Sequence, residues 1–436
     1  MLQYLHLRNV GPAPELEMEL APRLNLITGD NGVGKSFLLD VAWWALTRKW
    51  PHDLNPRLIA GYPGRPTDPG ARASIELRLR STSKTVSYVS EYARRDEAWV
   101  GKAGRPSSAA LVVYAHTDGG FSVWDPARNY WKKKGTVDIQ ERLPGYVFSA
   151  AEVWDGLTLE VEGAPTVVCN GLIRDWAIWI REKGSLADLM ATVVQRLSPE
   201  GESLTTGPLT RLRVNDARDI PSIQTACSDA VPIVHASSGI RRILALAYVL
   251  VWAWNEHVIA AAQLGEQPTS QVVLLFDEIE NHLHPRWQRS ILSSVLHVAE
   301  PFRSVAALQL LAVTHSPLVL ASAEPLFDPA RDAWFDMDFV PGEKAVTLEK
   351  RPFVRRGTAG RWLTSQAFDL PSEGRSLEAE RAIAGAEALL ERRRKGLPPN
   401  REEIDAADRA LRAVLPDVDR FWVRWSGAVD DLRESA

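Results

Sequence analysis

Gly29-Asp30-Asn31-Gly32-Val33-Gly34-Lys35-Ser36 matches the spacing G-x-x-x-x-G-K-[ST], between an apolar strand, Leu24 to Thr28, and a helix that opens at Ser36 and runs toward Trp50. In that setting the glycines let the backbone curl, and its N–H groups and the positive end of the helix surround phosphate oxygens. Lys35 then reaches the β and γ phosphates, and the Ser36 hydroxyl becomes a ligand for Mg²⁺. All eight residues are candidate nucleotide contacts, and the chain reads as a nucleotide binder.

Upstream of the loop, Glu15-Leu16-Glu17-Met18-Glu19-Leu20 alternates with period two, as a half-buried strand does. Downstream, Pro51 to Pro69 is rich in Pro, Gly and Arg, which predicts a loop near the nucleotide. From Arg72 to Asp125 the alternation returns: Ile75, Leu77 and Leu79 oppose Glu76, Arg78 and Arg80, and Asp118-Gly119-Gly120 supplies a hairpin turn. An antiparallel β lobe is therefore expected inside the first half, residues 1–168. Helical patterning around Trp176 to Arg196 predicts a small helical lobe over 169–232, and the α/β pattern resumes over 233–350. Residues 351–436 read as mainly helical. Ala379, Ile383, Ala386 and Leu390 share one helical face and Ile404, Leu411 and Leu415 another, with Lys395 to Asn400 breaking the pair into a hairpin whose apolar faces need a cover.

Chemistry concentrates at the ends of two further apolar runs. Val272-Val273-Leu274-Leu275-Phe276-Asp277-Glu278 is a buried strand ending in two acids, as a Mg²⁺-dependent phosphohydrolase requires beside its phosphate loop. Asp277 would anchor the metal, directly or through water, and Glu278 would polarise the attacking water. Leu310-Leu311-Ala312-Val313-Thr314-His315-Ser316 sets a histidine at another strand end, within reach of a γ-phosphate if the strand ends match in an open α/β sheet. His235-Ala236-Ser237-Ser238-Gly239-Ile240-Arg241-Arg242 precedes a long apolar helix; Ser237, Ser238 and Gly239 make either a second anion-binding surface or a plain helix cap. In Asn281-His282-Leu283-His284-Pro285 two histidines without a third nearby ligand make a poor zinc site, and the other reading is a loop that joins the acids to a partner subunit.

Bulk composition narrows the class. The chain has 436 residues, 45% hydrophobic and 24% charged, with net charge -4, which suits two or three compact lobes and argues against an overall basic nucleic-acid surface. Local patches remain open as contacts, Arg128 to Lys134 and Glu391 to Lys395, although solvated loop and helix-end charge explains both. Cys169 and Cys227 lack metal-type spacing and read as thiols in a reducing cytoplasm. Met1 leads straight into a strand-like segment, and Ile243 to Trp254 is too short to span a bilayer, so neither a leader nor a membrane helix is expected. Sixteen tryptophans are expected mostly to fill cores and seams.

Taken in chain order, these elements resemble the ATP-binding-cassette (ABC) class of AAA-family ATPases. The likeness is to the compact bacterial defence and repair ATPases related to the OLD (overcoming lysogenization defect) and Septu ATPases, and more distantly to the chromosome-maintenance heads. Gly29 to Ser36 matches the Walker A loop, Ala236 to Gly239 the signature loop, Asp277 and Glu278 the Walker B acids, Asn281 to Pro285 the D-loop region, and His315 the switch histidine. The resemblance spans about residues 1–350. It implies an α/β ATPase head with ATP and Mg²⁺ as cofactors, and a homodimer closed by an ATP sandwich in which Ser237 to Gly239 of one subunit meet the γ-phosphate of the other. Signature residues Ser238 and Ile240-Arg241 depart from the transporter pattern. Ser149 to Glu152 stands about where a Q-loop belongs, but Gln140 is the nearest glutamine. Asp336-Met337-Asp338 imitates the D-x-D of a Toprim nuclease but reads as a turn with solvated acids, which puts any HNH- or Toprim-type nuclease on a separate effector chain. The implied role is a nucleotide-driven sensor or regulator of an antiphage complex, with a head that binds DNA directly or a non-hydrolysing ATP-dependent scaffold as alternatives.

Overall fold

The computed structural model describes the chain outside residues 81–83, 102–107, 129–144, 162, 200, 203, 226–227, 303–306, 341, 343–344, 398 and 436, with side chains in the last helix described to 429. Most of the Arg128 to Lys134 patch, Gln140 and Cys227 therefore lie outside the described residues. The chain forms two compact units, Met1–Arg355 and Arg356–Ala436.

In the first unit an eight-stranded sheet carries the strands that the motifs follow. Its order is Val346–Arg351, Asp332–Phe339, Leu24–Gly29, Ala307–Val313, Gln271–Phe276, Leu111–Ala115, Phe121–Trp124, Tyr146–Phe148. The five strands from Asp332–Phe339 to Leu111–Ala115 run parallel, and those at the two edges are antiparallel. The histidine strand Ala307–Val313 thus lies between the phosphate-loop strand Leu24–Gly29 and the acid strand Gln271–Phe276. Register aligns Ile27 with Val313 and Ala312 with Phe276, which brings the three strand ends level.

A five-stranded antiparallel sheet joins Leu2–Arg8 and Glu15–Glu19 to Ser74–Arg80, Thr85–Ala93 and Ala98–Gly101. The expected inserted lobe is smaller than the alternation from Arg72 to Asp125 suggested, because Leu111–Ala115 and Phe121–Trp124 belong to the main sheet. Leu111 to Ala115 are buried on both faces, the environment of a central parallel strand rather than of a half-solvated one.

Between the sheets lies helix Lys35–Thr47, apolar nearly all round and buried from Leu38 to Thr47. One core cluster joins its Leu39, Trp43 and Leu46 to Leu5 and Leu77 of the antiparallel sheet and to Ile27, Leu275 and Val313 of the main sheet. Trp43, Trp124 and Trp176 are among the largest fully buried side chains, the core-filling use expected of tryptophan. The helix stops at Thr47, short of Trp50, because Arg48 turns left-handed at φ 63° and gives its N–H to the Trp44 carbonyl.

Region 169–232 holds helices Leu172–Glu182 and Ser185–Leu197, where the helical patterning lies, and, beyond them, a three-stranded antiparallel sheet, Thr205–Thr206, Ser222–Thr225 and Ser228–Pro232, that the reading as a small helical lobe does not include. These strands are short and partly polar, so their pattern is weak. The helix after the signature loop, Ser238–Leu264, has 27 residues and mean hydropathy 1.5 over its most apolar window. Length and composition would let it cross a bilayer, contrary to the reading of Ile243 to Trp254 as too short; 78% of that window is buried inside the protein.

In the second unit, helices Leu377–Arg394 and Arg401–Val414 are capped by Ser376 and by an Asn400–Glu403 capping box. A third helix, Phe421–Ser435, follows Pro416. Its Phe421, Trp425 and Val429 pack on Ile383, Leu390, Ile404 and Leu411, so the apolar faces of the hairpin are covered within the unit.

Candidate active site

The phosphate loop owes its shape to glycine. Gly29 has φ 129°, and a Cβ there would run into the Met337 carbonyl; Gly34 has φ 98°, and a Cβ would lie 2.7 Å from Pro12. Val33, fully buried, anchors the loop to the core, while Asp30, Asn31, Gly32 and Ser36 stay exposed. Lys35 is folded back over the loop: its ammonium donates to the Gly29 carbonyl at 2.8 Å and to the Asp30 carbonyl. Burial lowers it to about 8, against the pull of Asp30, Asp277, Glu278 and Asp338.

Ser36 Oγ donates to Asp277 Oδ1 at 3.0 Å, joining loop and acid strand across 241 residues of sequence. Burial pushes the Asp277 carboxyl up to about 6; the Ser36 hydrogen bond, Arg242 and Lys35 work against this and Glu278 adds to it. Glu278 is half-buried with a left-handed backbone, φ 52°. A non-glycine residue held there costs about 1 kcal/mol or more, strain of the kind that gathers at catalytic sites. His315 is half-buried; burial and then Lys35 lower its pKa, while Glu278 and Asp30 raise it. The loop, the acid pair and the histidine therefore share one electrostatic environment.

Other residues escaped the sequence reading. Glu280 accepts from Thr314 Oγ1 at 2.7 Å and from the His315 N–H at 2.6 Å, tying the histidine turn to the acid strand. An acid two positions after Glu278 was its only sequence signal. Arg242, in the first turns of the signature helix, points inward, and burial lowers its pKa to about 10. Asp336 and Asp338 lie not in a solvated turn but on strand Asp332–Phe339, where Asp336 is buried and accepts from Thr28 Oγ1 at 2.7 Å. The turn reading fails because this strand pairs with Leu24–Gly29, a long-range event.

At the Q-loop position, Ser149 and Glu152 form a capping box instead, with Glu152 also bound by Asn55 and Arg57. Ser237 caps its helix by accepting from the Ile240 N–H at 3.4 Å. Gly239 packs so closely on the loop after the acids that a Cβ would lie 2.8 Å from the His282 carbonyl. Ser237, Ser238, Gly239, His282, His284 and Trp287 line a cavity of about 870 Å³ that no residue of the phosphate loop borders. Within one chain, then, Ser237 to Gly239 are not brought onto Gly29 to Ser36. His284 serves as the cap of helix Pro285–His297. Among the described residues no group of three or more His, Cys, Asp or Glu is placed to hold a metal. Mg²⁺ needs no such cluster, because it binds through one or two protein oxygens together with phosphates and water, and Ser36 with Asp277 offers that donor set.

A family model described as "AAA domain, putative AbiEii toxin, Type IV TA system" matches residues 24–321, from the phosphate-loop strand past His315. Among solved structures, the chain is similar to an SMC head bound to the C-winged helix domain of ScpA, with TM-score 0.41 and 13% identity over 80% of this chain and 97% of that one. It is also similar to the SMC head domain from Thermotoga maritima, with TM-score 0.38 and 15% identity over 80% and 99% of the two chains. A third similar structure is the recombination mediator RecF in the RecFOR pathway, with TM-score 0.38 and 12% identity over 81% and 98%.

Proposed function

The chain belongs to the AAA-domain family whose model matches residues 24–321, and we propose that it is an ABC-type ATPase that converts ATP and water to ADP and phosphate. The observation that carries this reading is the Ser36–Asp277 hydrogen bond, which sets the phosphate loop against the acid strand. The curled loop, its exposed crown and a lysine whose ammonium donates to the loop carbonyls of Gly29 and Asp30 fit a nucleotide's phosphates. Ser36 and Asp277 would hold Mg²⁺, which would supply charge neutralisation at the phosphates. Lys35 contributes positive charge there, Glu278 takes the proton of the attacking water, and His315 donates toward the terminal phosphate.

Because Ser237 to Gly239 border a cavity that no residue of the phosphate loop lines, the reading includes a head-to-head homodimer in which these residues complete the partner's site. Mixing tests it. Lys35→Ala and Ser237→Arg chains, each inactive alone, together rebuild one intact site, and part of the ATP turnover returns. No recovery, with mixed dimers shown to form, would mean that each site is complete within one chain.

The biological role that this reading carries is a nucleotide-driven sensor or regulator in bacterial antiphage defence, acting on an effector, an HNH- or Toprim-type nuclease, in another chain. Its support is the motif order and the family's description in terms of a toxin–antitoxin system. Phage challenge of cells expressing the native gene neighbourhood, with wild-type or Glu278→Gln chain, tests it: equal plaque counts would refute the role while leaving the ATPase reading standing.

A further inference from the structure

Three successive carbonyls at the end of strand Leu111–Ala115 are each taken by a different part of the site. The Ala115 carbonyl accepts from the Asp277 N–H at 3.0 Å. The His116 carbonyl accepts from Arg242 Nη2 at 2.6 Å, and the Thr117 carbonyl from Asn281 Nδ2 at 2.9 Å. Asp277 is the metal-side acid, Asn281 lies in the loop that follows the acids, and Arg242 is on the helix capped by Ser237. Two segments distant in sequence, the acid strand with the loop that follows it and the helix capped by Ser237, are thus fastened to one stretch of backbone.

Arg242 is the unusual member. An arginine near a helix start ordinarily carries its charge into water. This one turns inward, its guanidinium 5.3 Å from the centre of the Phe121 ring, with Nη1 buried and, among the described residues, without a hydrogen-bond partner. Among the described residues it forms no ion pair, although Asp118, Asp277 and Glu278 all act on it electrostatically. Asp118 Oδ1 is already engaged by the Gly120 N–H at 2.8 Å. His116 does not repel it, since burial holds that imidazole down to about 3 and hence neutral. A buried charge left without a counter-ion is costly, and here its hydrogen bond at Nη2 goes to a backbone carbonyl, where it defines geometry.

We propose that Arg242 is a positioning residue for hydrolysis. It ties the helix that begins at Ser237 to the Ala115–Thr117 strand end, and through it to the Asp277 backbone and the Asn281 loop, so that engagement of Ser237 to Gly239 by a partner subunit and placement of the acids are one movement. This deepens the ATPase reading and rests on it.

The test uses the full chain. Arg242→Met keeps the bulk and loses the donor, Arg242→Lys keeps a donor, and Asn281→Ala removes the neighbouring tie. Turnover kinetics with Mg²⁺-ATP are measured beside equilibrium binding of a fluorescent ATP analogue. Arg242→Met is expected to lower kcat on the order of ten- to a hundredfold, the cost of a small displacement of catalytic groups, with KM and analogue affinity nearly unchanged. Arg242→Lys recovers part of the loss. The Arg242→Met, Asn281→Ala double variant loses little more than the worse single one, because both act on the same strand end. Unchanged kcat in Arg242→Met, losses that multiply independently, or a parallel collapse of nucleotide binding would each overturn the inference. If Arg242→Met does not fold, Arg242→Lys and Asn281→Ala decide it by the same split between kcat and binding. If the wild-type chain binds nucleotide without turning it over, the ATPase reading fails first; if it turns over and Arg242→Met equals it, only this inference fails.

Discussion

Removing the carboxylate of Glu280 should damage catalysis without touching nucleotide. Glu280 holds two donors of the histidine turn, the Thr314 hydroxyl at 2.7 Å and the His315 N–H at 2.6 Å. Thr314 is fully buried, and its oxygen also accepts from the Ser316 N–H at 3.1 Å, so it is the pivot of the turn. In Glu280→Ala both donors lose their acceptor. A stranded buried donor costs about 1–3 kcal/mol, so the two together come to roughly 3 kcal/mol once partial access to water at His315 is allowed for. For a unit of this size that lowers Tm on the order of 5 °C. The turn then relaxes, His315 moves off the strand ends, and turnover falls on the order of a hundredfold, whereas affinity for a fluorescent ATP analogue stays close to that of the wild type. Glu280→Gln, which accepts one donor but opposes the other with its amide N–H, falls between. Calorimetry and steady-state turnover on purified variants decide it. A Glu280→Ala chain with unchanged Tm and full turnover would refute the claim that this acid positions His315.

Glu278→Gln should bind Mg²⁺-ATP and lose about a hundredfold or more in turnover, while Asp277→Asn should lose Mg²⁺-dependent binding as well, measured by calorimetric titration; equal defects in both steps would contradict the division of roles. Burial, with Asp277 nearby, pushes Asp40 up to about 8, against the hydrogen bond from Tyr114 at 3.0 Å. Its folded pKa is raised, so its contribution to stability is complete below the unfolded value near about 4 and is lost as pH rises through about 8. Asp40→Asn should therefore flatten the decline of Tm between about pH 4 and 8, and an unaltered slope would show that Asp40 does not titrate there. Trp425→Ala empties the centre of the cluster that the last helix forms with Leu377–Arg394 and Arg401–Val414 and removes the indole's hydrogen bond to Asp408 at 3.0 Å, so it should cost the second unit about 3–5 kcal/mol in urea unfolding; a shift of less than about 1 kcal/mol would mean that the last helix is not needed to cover the other two.

Legible in the sequence are the strand and phosphate loop from Leu24 to Ser36 and the existence of the helix that follows, the apolar strand before Asp277 and Glu278, and the inward faces of the helices that carry Ile383, Leu390, Ile404 and Leu411. Each is encoded locally, in the spacing of glycines that escape a steric penalty or in the period at which apolar residues recur. Which strands lie side by side is not encoded that way. A buried parallel strand is a continuous apolar run and names no partner, so only the tertiary structure inserts Ala307–Val313 between Leu24–Gly29 and Gln271–Phe276, moves Leu111–Ala115 into the main sheet and turns Asp336 into a buried strand residue. The functional consequences come from that pairing. Ser36 meets Asp277, Glu280 grips the His315 turn and Arg242 reaches the His116 carbonyl because hydrogen bonds form between groups that folding brings within about 3 Å, whatever their separation along the chain.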